Sequence, residues 1–260
     1  MNNINPLKQT FDEVALLYNE VRPRYPEELF STLIDITRID EDSTLLEIGA
    51  GTGQATKPLA QKGFQITAVE LGSSLAEVAK NELRDYTRIE VVNTSFEEAD
   101  FLSETFDLIY AATSFHWIDH AIKYTKTHRL LRDNGYLAII DTNHVSDEAG
   151  DKFFIDSQPI YERFNFLDTP KPKLPNKKEL KASEIDERLF KLIHYQTFPI
   201  IITYTAKNFA KLLNTYSSHL KADKQVQHLF YQEIEDFINN NFNGQIDKHF
   251  AMSLTIAQKI

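Results

Sequence analysis

A chain of 260 residues with 42% hydrophobic and 25% charged side chains can bury a substantial core, which excludes wholesale disorder. Its 38 acidic against 28 basic residues give a formal net charge of -10, a field that repels phosphate backbones and argues against nucleic acid as a partner. The absence of cysteine removes disulfides, thiolate nucleophiles and Cys-type zinc sites, and no window approaches the roughly 20 apolar residues of a membrane span. The N-terminal MNNINPLKQTFDEVA lacks the apolar stretch of a signal peptide, so a soluble cytoplasmic protein is expected.

In chain order, residues 11–37 read as helices broken by RPRYP, where Pro23 and Pro26 interrupt the pattern. From 44 to 141, strand-like and helix-like segments alternate. STLLEIG is a short apolar strand, and QATKPLAQKG is a helix closed by Gly63, with Pro58 near its first turn. QITAVE is the second strand; SSLAEVAKNEL is a helix with Leu75, Val78, Ala79 and Leu83 on one face. IEVVN and FDLIYAA are the third and fourth strands. The helix AIKYTKTHRLL is expected to stop at Asn134-Gly135, before a fifth strand YLAIID. This alternation predicts an α/β fold: a mostly parallel sheet with helices on both faces.

After Asp141 the rhythm changes. Residues 145–168 look helical, DTPKPKLPNKK is a Pro/Lys-rich loop, and 192–205 resembles one or two strands. Two helical stretches follow, around 206–217 and 222–241, and HFAMSLTIAQK reads as a last strand. There is no internal repeat. One domain over 1–260 is expected, in three parts: 1–40, 41–142 and 143–260.

The chain holds only eight glycines, yet LLEIGAGTGQAT places Gly49, Gly51 and Gly53 at alternate positions directly after the first strand. Glycine permits positive φ and close approach of backbone to a ligand. A glycine loop between a parallel strand's carboxyl end and a helix N-terminus lies where open α/β sheets bind ligands. The dinucleotide fingerprint G-x-G-x-x-G/A is met only in part, because counting from Gly49 its third position falls on the bulky Gln54. The pattern is instead acid-x-G-x-G-x-G, with Glu47 at the strand end. Glu70 ends the second strand and is an acceptor-only group able to take both hydroxyls of a ribose, a device that nicotinamide and adenosylmethionine sites share.

EIGAGTG resembles the first motif of class I S-adenosylmethionine-dependent methyltransferases. VVNTSFEEADF, FDLIYAATSFHW, which contains Asp107, and LLRDNGYLAIID follow in that family's order and spacing, so the resemblance covers residues 44–141. FDEVALLYNEVRPRYPEELF and SFHWID resemble segments of methyltransferases related to trans-aconitate methyltransferase, and NFAKLLNTYSSH does so more weakly. The resemblance implies a Rossmann-like, seven-stranded sheet with S-adenosyl-L-methionine as cofactor, lid helices in 1–40, a cofactor-binding core in 41–142 and a substrate-side cap in 143–260. It implies cofactor contacts from Tyr18, Arg22, Glu47, Gly49, Ala50, Gly51, Glu70, Leu71, Ser95, Phe96 and Ala111. Within that set Glu47 orients the amino-acid end of the cofactor, and Ser95 stands where the family commonly has an acid for the adenine, with Phe96 able to stack on it.

For the methyl acceptor, a small molecule, the resemblance points to Tyr25, His116 and Trp117. His116 could orient a substrate oxygen or serve as general base. Packing roles for the aromatics and His116, and a surface role for Arg22, are the plain alternatives. HWIDH spaces His116 and His120 by four but lacks the glutamate of H-E-x-x-H, so no metal site is expected. Arg22 and Arg24, with Lys171, Lys173, Lys177 and Lys178 of the Pro-rich loop, could collect a small carboxylic acid for O-methylation; a solvated loop is the plainer reading of the lysines. A nicotinamide-dependent oxidoreductase and a non-catalytic binding protein of the same fold are the rival functions. A monomer or homodimer is expected.

Overall fold

The structure, a computed structural model, describes residues 14–147, 149–166 and 173–260. The expected helix start at 11–13 and positions 168–172 of the Pro/Lys-rich loop, Lys171 among them, lie outside the described residues. Seven strands form one sheet in the order β3-β2-β1-β4-β5-β7-β6. β1 (Thr44–Ile48), β2 (Gln65–Glu70), β3 (Ile89–Asn93), β4 (Phe106–Ala112) and β5 (Leu131–His144) are parallel. β7 (Gln245–Lys259) runs antiparallel to both β5 and the edge strand β6 (Phe190–Thr205). The mostly parallel sheet of the sequence reading is present.

The apolar character of the inner strands follows from burial on both sheet faces. Leu45, Ile66, Leu108 and Ile140 point to one layer, covered by helix α2 (Glu27–Thr37) and by α3 (Thr56–Ala60). Leu29, Phe30 and Leu33 dock α2 there with no exposed surface, each side chain stabilising the contact by roughly 1.5–3 kcal/mol. Leu46, Val69, Ile109 and Ile139 point to the opposite layer, where Tyr124 and Leu130 of α5 (Lys123–Leu130) cover them. The break at RPRYP separates α1 (Ala15–Val21) from α2, and Pro26 is the N-cap of α2. Helix α4 (Ser73–Leu83) spans the predicted segment, but Ala76 rather than Val78 joins Leu75, Ala79 and Leu83 in the buried stripe.

One boundary differs from expectation. Helix α5 ends at Leu130 instead of running to Asn134-Gly135, because Leu131 already pairs with Phe106 in the sheet. The ladder then slips and resumes at Leu108–Tyr136, with Asn134 in the left-handed region at φ 64°. Gly135 makes this bulge possible: a Cβ there would lie 2.9 Å from the Arg132 carbonyl oxygen and 3.1 Å from that of Asp107. The Asp107 carboxylate pins the corner, accepting from Arg132 Nη1 at 2.8 and 2.9 Å and from the Thr44 amide at 2.8 Å.

In the C-terminal part, the helix expected over 145–168 is confined to α6 (Lys152–Arg163), after a turn with Gly150 and Asp151 at positive φ. Residues 192–205 belong to the single long strand β6, whose Pro199 is tolerated because β6 is the sheet edge. Helices α7 (Ala206–Leu213), α8 (Ser217–Leu220) and α9 (Lys224–Asn241) follow. Phe209, Leu212, Phe230 and Ile234 of α7 and α9 pack with Ile160 of α6 and Phe250 of β7 into a separate apolar cluster. This cluster seats the helices beside the carboxyl end of β5. Among the described residues no helix is long and apolar enough to cross a membrane.

Candidate active site

A cavity of about 390 Å³ lies over the carboxyl ends of β1, β2, β3 and β4. The chain leaves β1 toward β2 on one side, while β4 pairs on the other, and this divergence opens a crevice in doubly wound sheets. The glycine loop forms the floor. Its Gly49 and Ala50 amides donate to the Val69 carbonyl at 2.8 and 3.0 Å, folding the loop onto the end of β2. A Cβ on Gly49, at φ 68°, would sit 2.6 Å from Ser114 Cβ, so only glycine lets β1 and the post-β4 segment meet. Gly51, at φ 58°, lines the cavity, and a Cβ on it would meet no protein atom within 4 Å.

Glu70 stands at the end of β2 with both carboxylate oxygens already oriented. Oε2 accepts from the Gly51 amide and Oε1 from the Gly72 amide, each at 2.7 Å. These two bonds fix the carboxylate at the edge of the cavity that Glu70 lines. Asn93 Nδ2 fastens the neighbouring backbone by donating to the Glu70 and Leu71 carbonyls at 2.9 and 3.0 Å. Leu71, Ser95 and Phe96 also line this end. Ser95 Oγ accepts from the Glu98 amide at 3.1 Å, which turns the chain beneath Phe96.

Four expected site residues are not cavity walls. Glu47 is 1% exposed and lies beneath the loop, where its Oε2 accepts from Thr56 Oγ1 at 2.5 Å and Tyr110 OH at 2.8 Å. Burial raises its pKa to about 7; the two hydrogen bonds oppose that rise and the Glu70 charge adds to it. Ala50 and Ala111 are buried. Successive strand residues point to opposite faces, so Ala112 lines the cavity in place of Ala111. Tyr25 stands behind the wall, its OH 3.2 Å from Oγ1 of Thr113, which does line the cavity.

Tyr18, Arg22, His116 and Trp117 also line the cavity, as do Tyr216 and Ser218 from the start of α8. Arg22 caps α1, and its guanidinium lies between the Tyr18 and Tyr216 rings. His116 sits in a 3-10 turn after β4, with its ring centroid 5.0 Å from that of Trp117. It is exposed at the rim, yet crowding by surrounding protein lowers its pKa below the usual histidine value. Asp141 opposes that shift and Lys123 adds to it. His120 lies between this turn and α5, so the two histidines do not share a helix. No group of three or more metal-ligating side chains occurs among the described residues. Lys173, Lys177 and Lys178 do not line the cavity. Tyr216 and Ser218 were not among the expected residues, although the NTYSSH stretch that holds them had drawn notice by resemblance.

Residues 46–139 match the family described as "Methyltransferase domain". The antiparallel β7 between β5 and β6 also departs from the all-parallel 3-2-1-4-5-6 order of dinucleotide-binding sheets. The likeness to methyltransferase domains is thus carried by the segment 46–139. The chain is 33% identical over 129 residues to a Dictyostelium discoideum protein assigned as a methyltransferase, and 32% identical over 134 residues to an uncharacterized methyltransferase of Alkaliphilus oremlandii. Both alignments take in 50% of this chain; they span 47% and 60% of the respective relatives. Among solved structures, a protein assigned as a type II methyltransferase from Anaeromyxobacter dehalogenans superposes with a TM-score of 0.62 at 18% identity, over 91% of this chain and 97% of its own. At that identity the likeness concerns the fold. The segment similar to methyltransferase domains supplies the carboxyl edge of the sheet, which the cavity occupies.

Proposed function

We propose that this protein is an S-adenosylmethionine-dependent methyltransferase whose acceptor is a small molecule. The observation that carries the reading is Glu70, a carboxylate held by two backbone amides at the edge of a cavity whose adjoining Gly51 wall would be filled by any larger residue. Such a group suits a vicinal diol, and the cavity volume lies in the range of small-molecule sites. When bound, the cofactor supplies a methyl group already activated on a sulfonium. Glu70 would hold the ribose hydroxyls, Gly49 and Gly51 would let the backbone lie against it, and Leu71, Ser95 and Phe96 would flank the adenine. Glu47 acts from below, fixing the loop through Thr56 and Tyr110.

The remaining task of the chain is alignment, and proximity and orientation supply roughly 7–11 kcal/mol of barrier reduction in favourable cases. Tyr18 and Trp117 wall the acceptor end against water. His116, whose neutral form is favoured by its crowded setting, is suited to accept a proton or hydrogen bond from the acceptor. Arg22 brings a cation to the cavity wall, which supports an acceptor bearing a carboxylate that is itself methylated on oxygen. Under this reading α1 with the α2 entry is a lid, and α6 to α9 form the acceptor-side cap of one domain.

The test is an acceptor panel of small carboxylic acids, phenols and amines incubated with methyl-labelled cofactor. Label should pass to carboxylic acids, and Arg22→Ala should raise their KM or lower kcat. Efficient labelling of phenols or amines with none of the acids defeats the acid reading and leaves the cofactor assignment standing. Failure of every acceptor class with tight cofactor binding favours a non-catalytic role.

A further inference from the structure

Arg22 is held more elaborately than a surface arginine. Its Nε donates to Thr215 Oγ1 at 2.8 Å and its Nη2 to the Thr215 carbonyl at 2.6 Å, so one edge of the guanidinium is used up. Its Cζ lies over two aromatic rings, 4.7 Å from the Tyr18 centroid and 4.6 Å from the Tyr216 centroid. Of five N–H donors, three on Nη1 and Nη2 find no partner among the described residues. They form the end-on fork that matches a carboxylate in two parallel hydrogen bonds. No acidic side chain pairs with Arg22 among the described residues, although the arginine lines the cavity.

Tyr216 is in turn anchored from behind. Its hydroxyl lies 3.1 Å from His144 Nε2, and the His144 ring packs edge-on to Tyr216 and 4.8 Å from Phe250. Burial lowers the His144 pKa to about 3, with the Lys248 and Arg22 charges adding to the effect. The neutral imidazole therefore accepts at Nε2, the phenol donates, and the ring proton is assigned to Nδ1. Thr215, fully buried, is fixed by its own Oγ1 donating to the Leu212 carbonyl at 2.6 Å.

We propose that Tyr216, anchored by His144, is a positioning residue that fixes the plane of Arg22 so that its outer N–H fork binds a carboxylate in the cavity. The inference rests on the methyltransferase reading for the source of that carboxylate, which is either the amino-acid end of the cofactor or the acceptor. The positioning itself is independent of the source. Tyr216→Phe keeps the ring over the guanidinium and loses the tether to His144; Tyr216→Leu loses both.

Two measurements on the wild type and these variants test it. The first is hydrogen exchange of the Arg22 Nε–H in ligand-free protein, followed by 15N NMR. It should be slow in the wild type, faster in Tyr216→Phe, and faster still, by about tenfold or more, in Tyr216→Leu. The second is calorimetry with S-adenosylhomocysteine, with its analogue lacking the carboxylate, and with glutarate added to the S-adenosylhomocysteine complex. Loss of affinity in Tyr216→Leu for S-adenosylhomocysteine but not for the analogue supports the proposal and names the cofactor; loss for glutarate alone supports it and names the acceptor. Exchange unchanged in Tyr216→Leu overturns the proposal, as does an equal loss for the analogue, which would mark general damage to the site. If S-adenosylhomocysteine fails to bind the wild type, the cofactor reading falls, and the exchange rates with glutarate added to the free protein still decide the positioning claim.

Discussion

Gly51→Val is expected to abolish cofactor binding while the sheet still folds. The Cβ at this position points into open space beside Glu70, so the valine would occupy ligand volume rather than clash with protein. A β-branched residue at φ 58° also carries strain of roughly 1–2 kcal/mol, which should lower the melting temperature without unfolding the protein. Retained affinity for S-adenosylhomocysteine in this variant would show that the loop does not face the ligand. Glu70→Ala should weaken the same ligand by roughly 1.5–3 kcal/mol, the range for hydrogen bonds to a charged group. Its two amide donors, Gly51 and Gly72, would also lose their acceptor.

Glu47 gives a pH-dependent prediction. Its folded pKa, about 7, lies above the ordinary 4.5, so between these values the folded state holds more proton than the unfolded state. Stability should therefore fall as pH rises through that window, by up to about 3 kcal/mol, and level off above it. Glu47→Gln keeps an oxygen for Tyr110 and Thr56 and removes the titration. Melting temperatures across pH 4.5 to 8 should show a flatter profile for the variant; parallel profiles would mean that folding does not raise the Glu47 pKa.

At the scale of elements, the bulge between α5 and β5 is the most constrained joint. Gly135→Ala would place a Cβ against two carbonyl oxygens, of Arg132 and Asp107, neither of which can move without breaking the corner that Asp107 ties to Thr44. Overpacking of this kind costs roughly 1–3 kcal/mol, to be read from denaturant unfolding, and a variant as stable as the parent would contradict the geometry. The same joint shows where sequence reasoning meets its limit. The Asn134-Gly135 signal was real, but it marks a strand bulge, because pairing of Leu131 with Phe106 takes over before the helix signal acts. Segments with strong local period, α4 and β2 to β4, were legible to the residue. Ala111 and Ala112 could not be told apart, since adjacent strand residues face opposite layers and only the assembled sheet says which is which. Thr215 and Tyr216 lie in a stretch marked only by a weak resemblance that assigns them no role, and His144 carries no local pattern. Their meeting with Arg22 depends on long-range docking of α7 and α8 against α1, which no short window encodes.

For the molecule as a whole, the cavity draws its walls from chain regions some 200 positions apart, from Tyr18 to Ser218. A ligand seated there touches the glycine loop, the ends of four parallel strands, the N-terminal helix and the cap. Ligand at about 100 times its dissociation constant should raise stability by about 2.7 kcal/mol through mass action. The central claim, that this cavity belongs to S-adenosylmethionine, is tested most directly by titration calorimetry of the wild-type protein with S-adenosylhomocysteine and, separately, with NAD. The account predicts one saturable site for S-adenosylhomocysteine, weakened in Glu70→Ala, and no heat of binding with NAD. Binding of NAD with none of S-adenosylhomocysteine would contradict it.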